Sequence, residues 1–169
     1  MSTNRVHKGV GRNASDILCA IEDRIMQSLA RGLSTEQRTS RLDELRARAQ
    51  EIVKVEVQVD LINPMHLEGY HGDKRAETAH IKLPRSLINR HFSGGASNDA
   101  GFIRNKQTGD WDAIISDYDR SQWWGNSEGR FLQVAAAHES VEAAGWNNYT
   151  VTVEEDQEGK IQIYCDSND

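Results

Sequence analysis

Asp110, Asp112, Asp117 and Asp119 are the first side chains in this chain whose type and spacing could do chemistry. Carboxylates two residues apart on a strand point to one face, and such a pair can hold Mg²⁺ or move protons. The plainer reading is a hairpin whose turn and ends carry solvated acids. A calcium loop is not present, because its ordered oxygen ligands with a central glycine and a closing glutamate are missing.

The stretch Gly69, Tyr70, His71, Gly72, Asp73, Lys74 and Arg75 is the second candidate. Glycines let a backbone approach an anion, and Lys74 and Arg75 are placed to hold a phosphate or carboxylate. No P-loop or dinucleotide fingerprint accompanies them. A hairpin turn with solvated charges explains the same residues without a ligand. The six histidines, His7, His66, His71, His80, His91 and His138, form no HExxH and no close group with cysteine, so neither a metal nor a cofactor is expected. His138 falls on the apolar side of a helical pattern, where a hydrogen-bonded core histidine is the ordinary finding. No GxSxG elbow marks a nucleophile. Trp123 and Trp124 are adjacent in the polar, glycine-flanked stretch SQWWGNSEG. Neighbouring side chains do not both bury easily in one direction, and exposed tryptophan is enriched at the centres of interfaces. The competing reading folds both back over the sheet.

The elements that must position these groups follow from periodicity. Residues 1–13 read as a loose arm, with a short strand from Arg5 to Val10. Asn13 or Ser15 caps a helix whose stripe is Ile17, Leu18, Ile21, Ile25 and Leu29, stopped at Gly32. Ser34 with Gln37 forms a capping box for a second helix running to Ile52. The two make a helical hairpin over 14–52. Val53 to Leu61 alternates apolar and polar and predicts a half-buried strand. A further strand spans Ala76 to Leu83, and Pro84 opens a short helix through Phe92. Ser93 to Asn98 is a flexible loop. Ala100 to Arg104 and Trp111 to Tyr118 form a hairpin, with Gly109 supplying the positive φ of its turn. Ser121 to Gly129 reads as a loop carrying the tryptophans, and Arg130 to Ala144 as the third long helix. Two closing strands end at Cys165 around a turn at Asp156 to Gly159, and 166–169 is a tail. The expected class is α+β, with a mainly antiparallel sheet covered on one face by helices and an α+β unit over 53–165.

The chain has 169 residues, 37% apolar and 27% charged, enough for one domain with a sizeable core. The net charge is −6. Residues 1–52 carry nine basic and seven acidic side chains, and 53–169 carry eleven and nineteen. A body at −8 disfavours a nucleic-acid partner and an anionic membrane surface. Without a long apolar run or a secretory segment, a soluble cytoplasmic protein is expected. Cys19 and Cys165 read as small buried residues rather than a disulfide framework or zinc site.

Gly69-Tyr70-His71-Gly72 before a strand, Asp99-Ala100-Gly101-Phe102, Trp111-Asp112-Ala113-Ile114-Ile115-Ser116-Asp117, the helix from Arg130 and Gly159-Lys160-Ile161 come in a recognisable order. Residues 67–164 resemble the conserved hypothetical chloroplast reading frame 35 family, also named domain of unknown function 1257. The chain departs from that pattern in its second long helix before the glycine-tyrosine turn and in its paired tryptophans. The resemblance implies a small α+β domain serving as an accessory to other proteins, and brings no catalytic residues. The expected function is a non-catalytic protein-binding or adaptor module contacting its partner through Trp123 and Trp124, with homo-oligomerisation compatible. The alternatives are a carboxylate enzyme using Asp110, Asp112, Asp117 and Asp119, with or without Mg²⁺, and an acidic inhibitor that imitates nucleic acid.

Overall fold

The computed structural model describes residues 3–92, 94–146, 148–155 and 161–167. The turn expected at Asp156 to Gly159 and the last two residues of the expected tail lie outside them. The short strand expected from Arg5 to Val10 forms, but the segment is not a loose arm. Strand β1 (Asn4–Gly11) is an edge of the main sheet, with Arg5 opposite Ile115 and Val6 opposite Ile114. Only Asn4 and Val10 of this strand are buried. A backbone ladder holds it rather than an apolar face, so its composition reads as a loose segment.

Asn13 caps α1 (Ala14–Leu29). Its side chain accepts the Asp16 N–H at 3.2 Å, and the Asp16 carboxylate accepts the Asn13 N–H at 3.2 Å. The Ser34–Gln37 box also forms, opening α2 (Thr35–Ser40). The expected single helix breaks at Arg41, and α3 runs Leu42–Glu56. The expected strand from Val53 to Leu61 is therefore wrong over its first half, and only β2 (Gln58–Val59) pairs. Ala49, Ile52 and Val53 continue one helical stripe onto the core, with Leu45 buried on the same helix, and that packing overrides the β-propensity of the first valines.

β3 (Met65–Glu68) and β4 (Lys74–Ala79) make a hairpin around the glycine turn, with Gly72 at φ 76°. His80 separates β4 from β5 (Ile81–Leu83), dividing the strand expected over 76–83. Then come α4 (Arg85–His91), β6 (Ala100–Arg104) and β7 (Trp111–Ser116). The expected hairpin forms with Gly109 at φ 79°. The loop expected over 121–129 is largely helical. A short α5 (Asp117–Arg120) precedes α6 (Trp123–Ala143), and β8 (Tyr149–Glu155) pairs with β9 (Ile161–Ser167).

The main sheet has the order β1-β7-β6-β5-β2, all antiparallel, and the class is α+β as expected. Helices α1, α4 and α6 supply the core on one face, with Ile17, Ile21, Leu87, Phe102, Trp124 and Phe131 among its residues. The β3–β4 hairpin covers part of the other face through Leu67 and Ala79 against Ile114. Gly101 permits that close approach, because a Cβ there would sit 2.9 Å from the Leu67 side chain. Among the described residues no helix is long and apolar enough to cross a membrane.

Candidate functional site

Trp123 and Trp124 open α6 and are both fully buried. Trp123 meets Phe92 edge-on at 5.2 Å, and Trp124 leans on Phe131 at 5.4 Å and on His7 at 5.8 Å. The loop before β6 must pass close by. A Cβ on Gly94, at φ 93°, would lie 2.8 Å from the Trp123 nitrogen. The tryptophans are core, so the expectation of a tryptophan contact surface is overturned.

The four aspartates do not form one site either. Asp112 accepts the Gly9 N–H at 3.1 Å and Asn105 Nδ2 at 3.2 Å, and Asp110 lies 3.7 Å from Arg12. At the other end of β7, about 20 Å away for a six-residue strand, Asp117 pairs with Arg5. Asp119 there accepts Ser97 N at 2.7 Å and Ser97 Oγ at 3.1 Å. Each carboxylate is committed to a donor of the fold. The one acid–histidine group close enough to suggest a metal, among the described residues, is Asp16, His138 and Glu142. His138 Nδ1 lies 2.8 Å from Asp16 and its Nε2 3.7 Å from Glu142, so the ring bridges two carboxylates from opposite sides. Asn13 and Ser15 donate to Glu142 as well. This is a clamp joining the start of α1 to the end of α6, and it agrees with the hydrogen-bonded reading of His138.

The glycine turn is where the sequence and the geometry meet. A cleft of about 450 Å³ lies between this turn, the 95–98 loop and α5. Tyr70, His71 and Arg75 line it from the turn, and Ser97, Asn98 and Tyr118 from the far side. Gly69 and Gly72 shape the turn rather than the wall. The Gly69 N–H donates to Asp73 O at 2.8 Å, and the Gly72 N–H to Gly69 O at 2.9 Å. Lys74 is not among the lining residues, since side chains alternate along β4 and Arg75 takes the cleft side. Asp99 fixes the approach of the loop. It accepts Glu68 N and Arg85 N, both at 3.0 Å, and lies 3.7 Å from Lys82.

Beneath the cleft runs a polar network. Asn98 Nδ2 donates to Asn4 Oδ1 at 3.1 Å, the Ser97 and Ser116 hydroxyls are 3.1 Å apart, and the Asp119 N–H donates to Ser116 Oγ at 3.2 Å. Asn4, Asn98, Ser116 and Asp119 are all buried. Two atoms of this network, Asn4 Nδ2 and Asp119 Oδ2, have no hydrogen-bond partner among the described residues. Each such atom costs about 1–3 kcal/mol when left without water or ligand. Sequence reasoning missed Asn4, Ser97, Asn98, Ser116 and Tyr118 as site residues. They come from three distant segments, and the only local signal was serine and asparagine in a glycine loop ahead of Asp99.

A different surface stands at the open edge of the sheet. Val55, Leu61 and Ile62 are 70%, 55% and 84% exposed, and Val59 on β2 is also exposed. Asp60 makes this segment rigid. Its carboxylate accepts Ile62 N at 3.0 Å and Asn63 N at 2.9 Å, and its own N–H donates to His80 O at 2.8 Å. The backbone hydrogen bonds from Asn63 and Ile62 hold the Asp60 carboxyl below the usual carboxylate range. The signal was present in the sequence as two aliphatic residues at a turn ahead of Asn63-Pro64.

The groove among α1, α2, α3 and β8 carries buried charge instead. Arg130 donates to Asp23 through Nε at 2.7 Å and Nη2 at 3.0 Å, and also to Val153 O. Burial pushes the Asp23 carboxyl up, and Arg130 works against it. Cys19 lines the same groove, and burial with the nearby carboxylates of Glu22 and Asp23 pushes its thiol up to about 12. Cys165 is exposed and Cys19 partly buried, which corrects the expectation that both cysteines are buried. A maleimide at neutral pH will therefore label Cys165 of the folded chain first and Cys19 much more slowly. Peptide mapping after a timed pulse checks this, and equal labelling of both would contradict it.

No protein-family model matches this chain, no curated protein matches it, and no solved structure matches its fold.

Proposed function

We propose that this chain is a non-catalytic protein-binding module whose contact is the apolar segment from Val55 to Ile62. The observation that carries the reading is a rigid turn holding Leu61 and Ile62 out into solvent beside an open sheet edge. Large aliphatic side chains fixed in this way lose little conformational freedom on binding, the economy that pre-organised contact surfaces use. The outer edge of β2, which pairs with no further strand among the described residues, offers backbone groups to an incoming strand next to those anchors. The buried tryptophans and the dispersed aspartates offer no comparable contact surface. The resemblance to the chloroplast reading frame family adds no activity to this reading. The two free cysteines suit a reducing compartment, and we place the module in the cytoplasm.

The test is capture of partners from a lysate of the native host with the wild-type chain and with Leu61→Asp/Ile62→Asp. Both side chains are exposed, so the variant keeps its melting temperature within a few degrees. A stoichiometric protein held by the wild type and lost by the variant is the expected result. Identical captured sets from both would overturn the assignment. Light scattering run beside it identifies a second copy of this chain as the partner if the wild type is dimeric and the variant monomeric.

A further inference from the structure

We propose that the cleft between the glycine turn and α5 binds a small aromatic or heterocyclic anion, a flat ring carrying one carboxylate or phosphate. This site is separate from the apolar segment and does not depend on it. The volume of about 450 Å³ lies within the range of small-molecule sites. Tyr70 and Tyr118, 67% and 52% exposed, belong to opposite sides of it, and rings of this kind present a flat apolar face with a polar tip.

The sign of the ligand follows from which charges line the cleft. Arg75 does, with its side chain mostly buried, and no carboxylate does. The neighbouring acids are turned to the protein, since Asp119 accepts from Ser97 and Asp73 lies against Gly69 and Arg75. Arg75, mostly buried and paired with Asp73 at 3.4 Å, is the charged side chain in the cleft wall, and a guanidinium with its fork of N–H donors favours an anion there. Ser97 and Asn98 complete the far side with uncharged hydrogen-bonding groups. Asp119 and Asn4 hold them in place, through Ser97 N and Oγ and through Asn98 Nδ2.

The experiment is a titration of the full ¹⁵N-labelled chain, read by amide shifts, with AMP, UMP and 4-hydroxybenzoate as aromatic anions. Adenosine supplies a ring without the anion and inorganic phosphate an anion without the ring. At least one aromatic anion is expected to shift the amides of Ala96, Ser97 and Tyr118 saturably, with Kd below about 1 mM. Arg75→Gln is expected to weaken that probe about tenfold, and Tyr118→Ala several-fold, with amide dispersion elsewhere unchanged. Adenosine and phosphate should each bind at least about tenfold more weakly than the best aromatic anion. The proposal falls if none of the three anions shifts those amides at about 5 mM. It also falls if adenosine binds as tightly as AMP when AMP is the best probe, or if Tyr118→Ala leaves the affinity unchanged. Tyr118 is exposed, so its variant keeps the test decisive even if Arg75→Gln fails to fold.

Discussion

Trp124→Ala lowers the unfolding free energy by about 3–5 kcal/mol, the usual cost of removing a large aromatic from a packed core. Trp124 touches Trp123, Phe131 and His7 and is fully buried, so no solvent can refill the space cheaply. Domains of this size are stable by about 5–15 kcal/mol, and the variant would keep only part of that margin. Trp124→Phe keeps the ring contacts in part and is expected to lose less than half as much. Urea unfolding followed by far-UV circular dichroism measures both. A loss below about 1 kcal/mol for the alanine variant would show that the α6 start does not close the core. The same substitution separates the two sequence readings of the tryptophan pair, since a surface tryptophan would be lost with little change in stability.

Arg130→Ala is expected to cost about 3–5 kcal/mol, because it leaves the Asp23 carboxylate buried without its cation. The pH dependence gives this result its signature. Burial already holds the Asp23 carboxyl above its unfolded value, and removing Arg130 raises it further. A carboxyl raised in the folded state favours folding while it is protonated in both states, and that benefit is lost as pH rises through the folded value. The deficit of the variant is therefore greatest at neutral pH and shrinks as pH falls towards about 4, the unfolded carboxyl range. Melting temperatures of both proteins between those limits test the sign. Asp23→Asn in the Arg130→Ala background should recover part of the neutral-pH loss by removing the buried charge. A deficit constant with pH would assign the loss to packing of the Arg130 stem instead.

Local chemistry was readable in the chain wherever the partner lay within a few residues. Asn13 as one of two candidate caps, Ser34 with Gln37, and Gly109 in its hairpin each behave as their sequences predict, while the return bond from Asp16 to Asn13 is an addition of the structure. The valines from 53 to 59 fit two periods at once. Alternation pointed to a strand, while the stripe through Ala49, Ile52 and Val53 continued a helix; packing decided for the helix as far as Glu56, and the strand begins only at Gln58. The polar, glycine-flanked stretch around Trp123 and Trp124 reads as a loop, yet both residues lie in the first turn of α6. On a helix, neighbours diverge by about 100°, which sends one ring towards Phe92 and the other towards Phe131. The glycine turn was legible as a ligand candidate, but its far wall was not, since Ser97, Asn98 and Tyr118 reach it only through the fold.

The pairing of β1 with β7 also sets an order of events as the chain is made. Asn4 finds its partner only at Ser116, a separation of about 110 residues, so the ladder is among the longest-range contacts this length permits. During synthesis the first strand emerges with no sheet to join, while the β6–β7 hairpin that receives it appears two thirds of the chain later. Local helices and hairpins can form meanwhile, but the sheet gains this edge only when the chain's two distant parts meet. Closing so large a loop slows folding and leaves the outer edge of β7 bare until β1 arrives, so aggregation of nascent or refolding chains is expected to begin along that edge.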